Sequence, residues 1–227
     1  VSRYQLAGAG VQNAALAMGG FTSTDLACTE QYDGTSWSTK AAMSLARRQL
    51  AGAGTTPAAL VFGGNVNKTC TEEFTTAGVA SSWSTGGALA TARYSMGGAG
   101  TQNAALAFGG DTTTEVSCTE EYDGSSWSAG GALQIAREGL GGAGTQNAAL
   151  AWRGRVAFNN CTCTEEYNGS SWSTGGATND GGDCMGSAGI QNAALTFGGR
   201  VGGTNCSTCT EEYNGSSWSN GGALQIG

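Results

Sequence analysis

The chain has no histidine, a single proline and few charges: Asp, Glu, Lys and Arg make up 12% of its 227 residues. Without histidine there is no His-based catalytic triad and no His-ligated metal centre, and neither a metal nor a cofactor is expected. One proline excludes collagen, and low charge with 39% apolar residues excludes a disordered tail. No apolar run approaches the roughly 18 residues of a membrane-spanning helix, so no membrane insertion is expected. Net charge is −7 and no basic patch occurs, which disfavours nucleic acid as a partner, because phosphate contacts need clustered Lys and Arg. The chain starts without an initiator Met and in mid-pattern, as expected of a processed product or a fragment.

What the chain has in excess is glycine, 40 residues, and most of it recurs in register. The stretch "LAGAGVQNAALAMGG" at Leu6–Gly20 returns at Leu50–Gly64, Met96–Gly110, Leu140–Gly154 and Met185–Gly199. Trp37, Trp83, Trp127, Trp172 and Trp218 follow at spacings of 46, 44, 45 and 46 residues. A period of this length marks a repeat architecture. Each unit reads as four short segments divided by turn signals: "LAGAG", then Gln-Asn or Thr56-Pro57, then "AALAFGG", then "CTEEY", then Asp-Gly or Asn-Gly, then "SSWS". Asp-Gly and Asn-Gly supply the positive φ angles of tight hairpins. No segment repeats apolar residues at i, i+3, i+4, i+7 over helical length, so the unit is four strands without a helix.

Five such units predict an all-β, five-bladed β-propeller with four antiparallel strands per blade. The chain is then one domain, 1–227, with blades near 1–44, 45–90, 91–134, 135–179 and 180–227. The first strand of a propeller blade lies at the axis, where all blades crowd together. Glycine is used wherever backbones approach closely, which accounts for "LAGAG" and its equivalents there. Each unit begins at an inner strand and ends after a fourth, so blades are contiguous without strand exchange. Closure is expected to rest on packing between blades one and five, with a longer native array as the alternative.

Gly109-Gly110 after an apolar strand, then Tyr122, then Trp127, resembles the kelch repeat, whose marks are a Gly pair, a Tyr and a Trp in that order. Phe74 in place of the Tyr, Arg153 in place of the first Gly of a pair, and a Tyr–Trp spacing one residue short are departures, so the chain is kelch-like. The Gly-His and Trp-Asp pairs of WD repeats are absent. The wording "GTQNAALAFGG…EEYDGSSWS" also resembles kelch-like repeat proteins of environmental phages, which implies a virion or tail-fibre setting and other virion or fibre subunits as partners. The copper centre of kelch-like oxidases is not expected in a chain without histidine.

Five of the eight cysteines occupy one repeat position (Cys28, Cys70, Cys118, Cys163, Cys209), and three are extra (Cys161, Cys184, Cys206). Equivalent cysteines of adjacent blades would lie roughly 10 Å apart, beyond the ~7 Å Cα separation a disulfide spans. Any bridge is therefore expected at Cys161 or Cys206 with a neighbouring loop cysteine such as Cys209. Paired acids recur as Glu72-Glu73, Glu120-Glu121, Glu165-Glu166 and Glu211-Glu212. Adjacent strand residues face opposite sides, so these do not form a two-carboxylate catalytic pair, and partners in Arg or backbone N–H groups are expected.

Arg3, Arg47, Arg93 and Arg137 precede their inner strands at one equivalent position, where the fifth unit has Gly182. They are candidates for ligand binding, with Arg–Glu bridges as the structural alternative. Sialidases are propellers with an arginine cluster, but their S-x-D-x-G-x-T-W turn matches "YDGSSW" only in its G-x-S-W half, and sialidase activity is not expected. The loops between the glycine pair and the repeat cysteine differ most between units, and recognition commonly resides in such loops. They offer hydroxyl and amide groups suited to sugars, with Phe21 and Phe158 for stacking. These loops and the arginines are expected on one face, and the Gln-Asn and Asp/Asn-Gly turns on the other. Glycosylation sequons occur at Asn67, Asn160, Asn168, Asn205 and Asn214. The expected protein is not an enzyme. It is an extracellular or virion-associated recognition or structural module presenting a loop face to a glycan or protein surface. The alternatives are a secreted lectin with sites between blades and, less favoured, a sialidase-type glycosidase.

Overall fold

The computed structural model describes residues 2–65, 68–78, 80–201 and 205–225, with only the backbone of Asn205 and Cys206. Among these residues there is no helix. Five four-stranded antiparallel sheets lie in a ring, a β-propeller arrangement consistent with kelch-like repeats. Every sheet takes its strands consecutively from the chain, so the blades are contiguous. Blade three is representative, with strands Gly97–Thr101, Ala104–Phe108, Thr119–Tyr122 and Trp127–Gly130 from the axis outward. The other inner strands are Ala7–Val11, Ala51–Thr55, Gly141–Thr145 and Gly186–Ile190. Two short hairpins, Arg155–Val156 with Asn159–Asn160 and Arg200–Val201 with Asn205–Cys206, stand on the loops of blades four and five.

The reason for the glycines is visible at the hub. A Cβ added to Gly52 would lie 2.9 Å from the Gly8 carbonyl oxygen, one on Gly98 3.0 Å from that of Gly52, and one on Gly142 2.8 Å from that of Gly98. Successive inner strands thus touch backbone to backbone. A staircase of hydrogen bonds winds round the axis above them: Gln49 N–H donates to Gln5 O (2.9 Å), Ser95 to Gln49 (3.0 Å), Gly139 to Ser95 (2.7 Å) and Cys184 to Gly139 (3.1 Å). All five residues carry left-handed φ angles, between 52° and 63°.

Further out, blades three, four and five are each wired to the one before by the same set of side chains. The indole N–H of Trp127, Trp172 and Trp218 donates to Thr71, Thr119 and Thr164 of the preceding blade at 2.9–3.0 Å. The same indoles pack on Phe62, Phe108 and Trp152, with centroids 4.9–5.3 Å apart. Burying one such tryptophan stabilises by about 4–6 kcal/mol as an upper bound. Gln102, Gln146 and Gln191 bond back to two carbonyls of the preceding blade, which accounts for the sameness of the Gln-Asn turns. The hydroxyls of Tyr122, Tyr167 and Tyr213 donate to Glu73, Glu121 and Glu166 at 2.5–2.6 Å.

The expected packing of blade five on blade one is the point at which the structure differs. No packing comparable to that between successive inner strands joins Gly186–Ile190 to Ala7–Val11. Trp37, equivalent to the buried Trp127, is 53% exposed, and Thr210 donates its hydroxyl to Gly222 O within its own blade. Closure requires the rotations at the four junctions to sum to a turn that carries blade five round to blade one, and no contact within or between neighbouring blades enforces that sum.

Candidate functional site on the loop face

The loops that differ most between blades stand beside the starts of the inner strands, as isolated bridges show: Tyr4 with Phe21, Tyr94 with Asp111, Glu138 with Arg155 and Asp183 with Arg200. The two sets therefore share a face, as expected. The Asx turns lie at the other end of the blades, where Gly124 abuts Asn103. At these turns Asp123 accepts from the Ser125 and Ser126 N–H groups, which hold its carboxyl down at about 2.

The recurrent arginines do not reach that face. Arg47, Arg93 and Arg137 are 0% exposed and paired with Glu72, Glu120 and Glu165. Arg3, whose side chain is 3% exposed, pairs with Glu30 at 2.9 Å and donates to Ala17 O. A guanidinium without accessible surface cannot contact a ligand, so their role as ligand-binding residues is corrected to a structural one. The Glu72, Glu120 and Glu165 carboxylates also accept a backbone N–H from the segment joining two blades, such as Ser44 to Glu72 at 2.7 Å and Gln134 to Glu165 at 2.7 Å. Burial pulls the Arg47 and Arg137 guanidiniums down, and their glutamates push them back up. In Glu72-Glu73, Glu120-Glu121 and Glu165-Glu166 the first acid thus meets Arg and the second the next blade's tyrosine, on opposite sides of the strand.

Blade five has Gly182 where the arginine should be, and its Glu211 is still satisfied. Arg153, from the glycine pair of blade four, reaches across and pairs with it. Both side chains are at most 1% exposed. The sequence carried a signal for this in two simultaneous departures, an arginine gained at 153 and one lost at 182.

Accessible polar groups of the loop face gather in two places, Arg48 with Asp25 beside Phe21 on blades one and two and a larger cluster on blades four and five. Arg200 forks onto Asp183 at 2.6 and 3.2 Å, and Arg155 bonds Glu138 at 2.5 Å with its Nε 3.7 Å from Asp183. Burial raises the Glu138 carboxyl, and Arg155 lowers it. Arg155, Asp183 and Arg200 stand between two hollows. The larger, of about 500 Å³, adds Phe158, Asn159, Asn160 and Thr162. The smaller, of about 190 Å³, opens at the axis beside Gln5, Gln49 and Ser95.

Phe158 tops the hairpin of blade four and is 86% exposed. Its φ is 69° and that of Ala157 is 48°. A two-residue hairpin loop requires both to be positive, a conformation that suits Asn-Gly and strains a bulky residue. No family model matches the chain, and no curated protein matches it. The Arg155, Asp183 and Arg200 cluster was not legible as a site, although opposite charges at the bridged positions 138/155 and 183/200 were its trace.

Cys161 and Cys163 lie at disulfide distance, Cα atoms 5.3 Å apart, in the loop region and not between blades. Cys209 is a free, exposed cysteine, and the Cys206 side chain lies outside the described residues. Of the sequons, Asn168 and Asn214 are exposed in hairpin turns and Asn160 is half-buried beside the larger hollow. Asn67 and the Asn205 side chain lie outside the described residues.

Proposed function

We propose that the protein is a non-enzymatic recognition module, extracellular or borne on a virion or fibre, whose loop face binds a glycan around Phe158. The observation that carries this reading is the strained turn that holds an aromatic face in solvent at the rim of a polar hollow. Backbone strain concentrates at functional sites because folding alone gains nothing from it. A phenyl face stacks on the apolar face of a sugar, while Arg155, Arg200, Asn159 and Asn160 supply donors and acceptors for hydroxyls. The ion-paired guanidiniums also suit an acidic sugar.

Sites between blades are less favoured, since Trp127, Trp172 and Trp218 fill those clefts. A sialidase-type reaction is less favoured too, because the recurrent arginines are buried. A glycan array probed with the protein and with Phe158→Ala tests the proposal. Glycans retained by the parent and lost by the variant support it. Equal retention by both, or retention of none, overturns it, and turnover in a fluorogenic glycoside panel would establish the enzymatic alternative.

A further inference from the structure

The junctions of blades two and three, three and four, and four and five are built from one recurring set of contacts, and at the seam between blades five and one the ring leaves that set unmade. The leading edge of blade one presents the donor half. Trp37 is 53% exposed, Leu6 is 38% exposed where Leu50, Met96 and Leu140 are buried, and Gln12 is exposed where Gln102 is buried. A Cβ on Gly8 would find only its own blade's Leu16 O, at 3.9 Å. The trailing edge of blade five presents the acceptor half. Phe197 is half-buried where Phe62 and Phe108 are fully buried, Ala188 is exposed where Ala53, Ala99 and Ala143 are buried, and Glu212 is exposed.

The two edges match term by term. Trp37 corresponds to the indole that would pack on Phe197 and donate to Thr210. Tyr32 corresponds to the phenol that would donate to Glu212, and Gln12 to the amide that would bond Ala194 O and Tyr213 O. Blades three, four and five make every one of these contacts on the blade before, that is, on blades two, three and four.

We propose that these edges are the two halves of a head-to-tail interface, and that the occupant is a second copy of this chain. Blade one of one copy docks on blade five of the next, in the register the internal junctions already use. Such a contact is heterologous, so it builds a larger ring or an open filament according to whether its rotation closes. It is independent of ligand binding at Phe158.

Light scattering over a concentration series, coupled to size exclusion, tests this. The parent chain should self-associate as concentration rises, and Trp37→Ala and Ala188→Arg should each remain monomeric. Both positions are exposed, so folding is retained, and circular dichroism matching the parent verifies it. Each variant keeps the edge the other lacks, and an equimolar mixture should therefore form a one-to-one dimer and nothing larger. A parent that stays monomeric throughout the series, variants that associate like the parent, or a mixture that stays monomeric would each overturn the proposal. So would a monomer whose Trp37 fluorescence is shielded from an aqueous quencher, since blade five would then cover it within one chain.

Discussion

At the scale of single residues, the exchange of roles between Arg153 and Gly182 shows what the buried charges require. Glu211 is 0% exposed, and its carboxylate also accepts the Asn179 N–H at 2.7 Å. Removing one partner of a buried ion pair leaves an uncompensated charge, so Arg153→Ala should destabilise by about 3–5 kcal/mol. The double variant Arg153→Gly, Gly182→Arg rebuilds the arrangement of the other blades and relieves an arginine held at φ 54°. A Cβ at position 182 would stand 2.9 Å from the Arg200 carbonyl oxygen, so the double variant should recover part of the loss in denaturant titration, whereas no recovery would mean that Glu211 needs Arg153 at that position. The hub gives a second contrast. Gly98→Val meets Gly52 O and Phe62 at 3.0 Å and should cost about 1–3 kcal/mol or more. Gly8→Val meets open space, and its melting temperature should stay within a degree or two of the parent's. Equal losses for the two would remove the distinction between hub and seam.

At the scale of elements, the informative unit is the hairpin of blade four. Ala157 and Phe158 occupy the two positions for which Asn-Gly is the low-strain choice. The double substitution Ala157→Asn, Phe158→Gly should raise stability by about 1 kcal/mol, at the low end of what such strained residues store. The same change should abolish glycan retention, because the aromatic face is gone. A stability gain with binding intact would place recognition elsewhere on the loop face. The junction of blades one and two is the element-level exception. Its Gln31 and Phe74 stand where later junctions pair Glu with Tyr, its Thr56-Pro57 replaces the bridging Gln, and Trp83 is only half-buried. Both members of the phenol–carboxylate pair have changed together.

At the scale of the whole molecule, blade one has the seam on one side and this thinner junction on the other. Local opening follows the lowest density of buried contacts. Amide exchange should therefore run fastest in Ala14–Met18 and Thr29–Tyr32 and slowest in the matching strands of blades three and four. Uniform protection would show that the seam closes in solution. Alkaline titration reads the better-wired junctions. Burial, and then the hydrogen bonds to Glu73, Glu121 and Glu166, push the phenols of Tyr122, Tyr167 and Tyr213 up to about 12 from an ordinary value of 10.0. The folded state thus holds these protons more tightly than the unfolded chain does. Their contribution is complete below pH 10 and is lost as pH climbs towards 12. Stability should be flat with respect to these groups up to about pH 10 and then fall. Tyr-to-Phe substitution at all three should flatten that fall.

The sequence by itself determined the repeat, the strands and their order in each blade, because alternation, turn chemistry and the 44–46-residue period are local properties of the chain. It also determined that glycine marks the axis and that paired acids point apart. Only the tertiary structure decided which charges are buried. Arg93 recurs in the sequence as a binding candidate and Arg200 carries no such signal, yet Arg93 is sealed against Glu120 and Arg200 stands half-exposed over Asp183. Only it brought Arg153 to Glu211, 58 residues along the chain. Only it left blade five short of blade one. Curvature is the sum of the rotations at the junctions between blades, and each rotation is set by contacts across two blades, which no single repeat encodes.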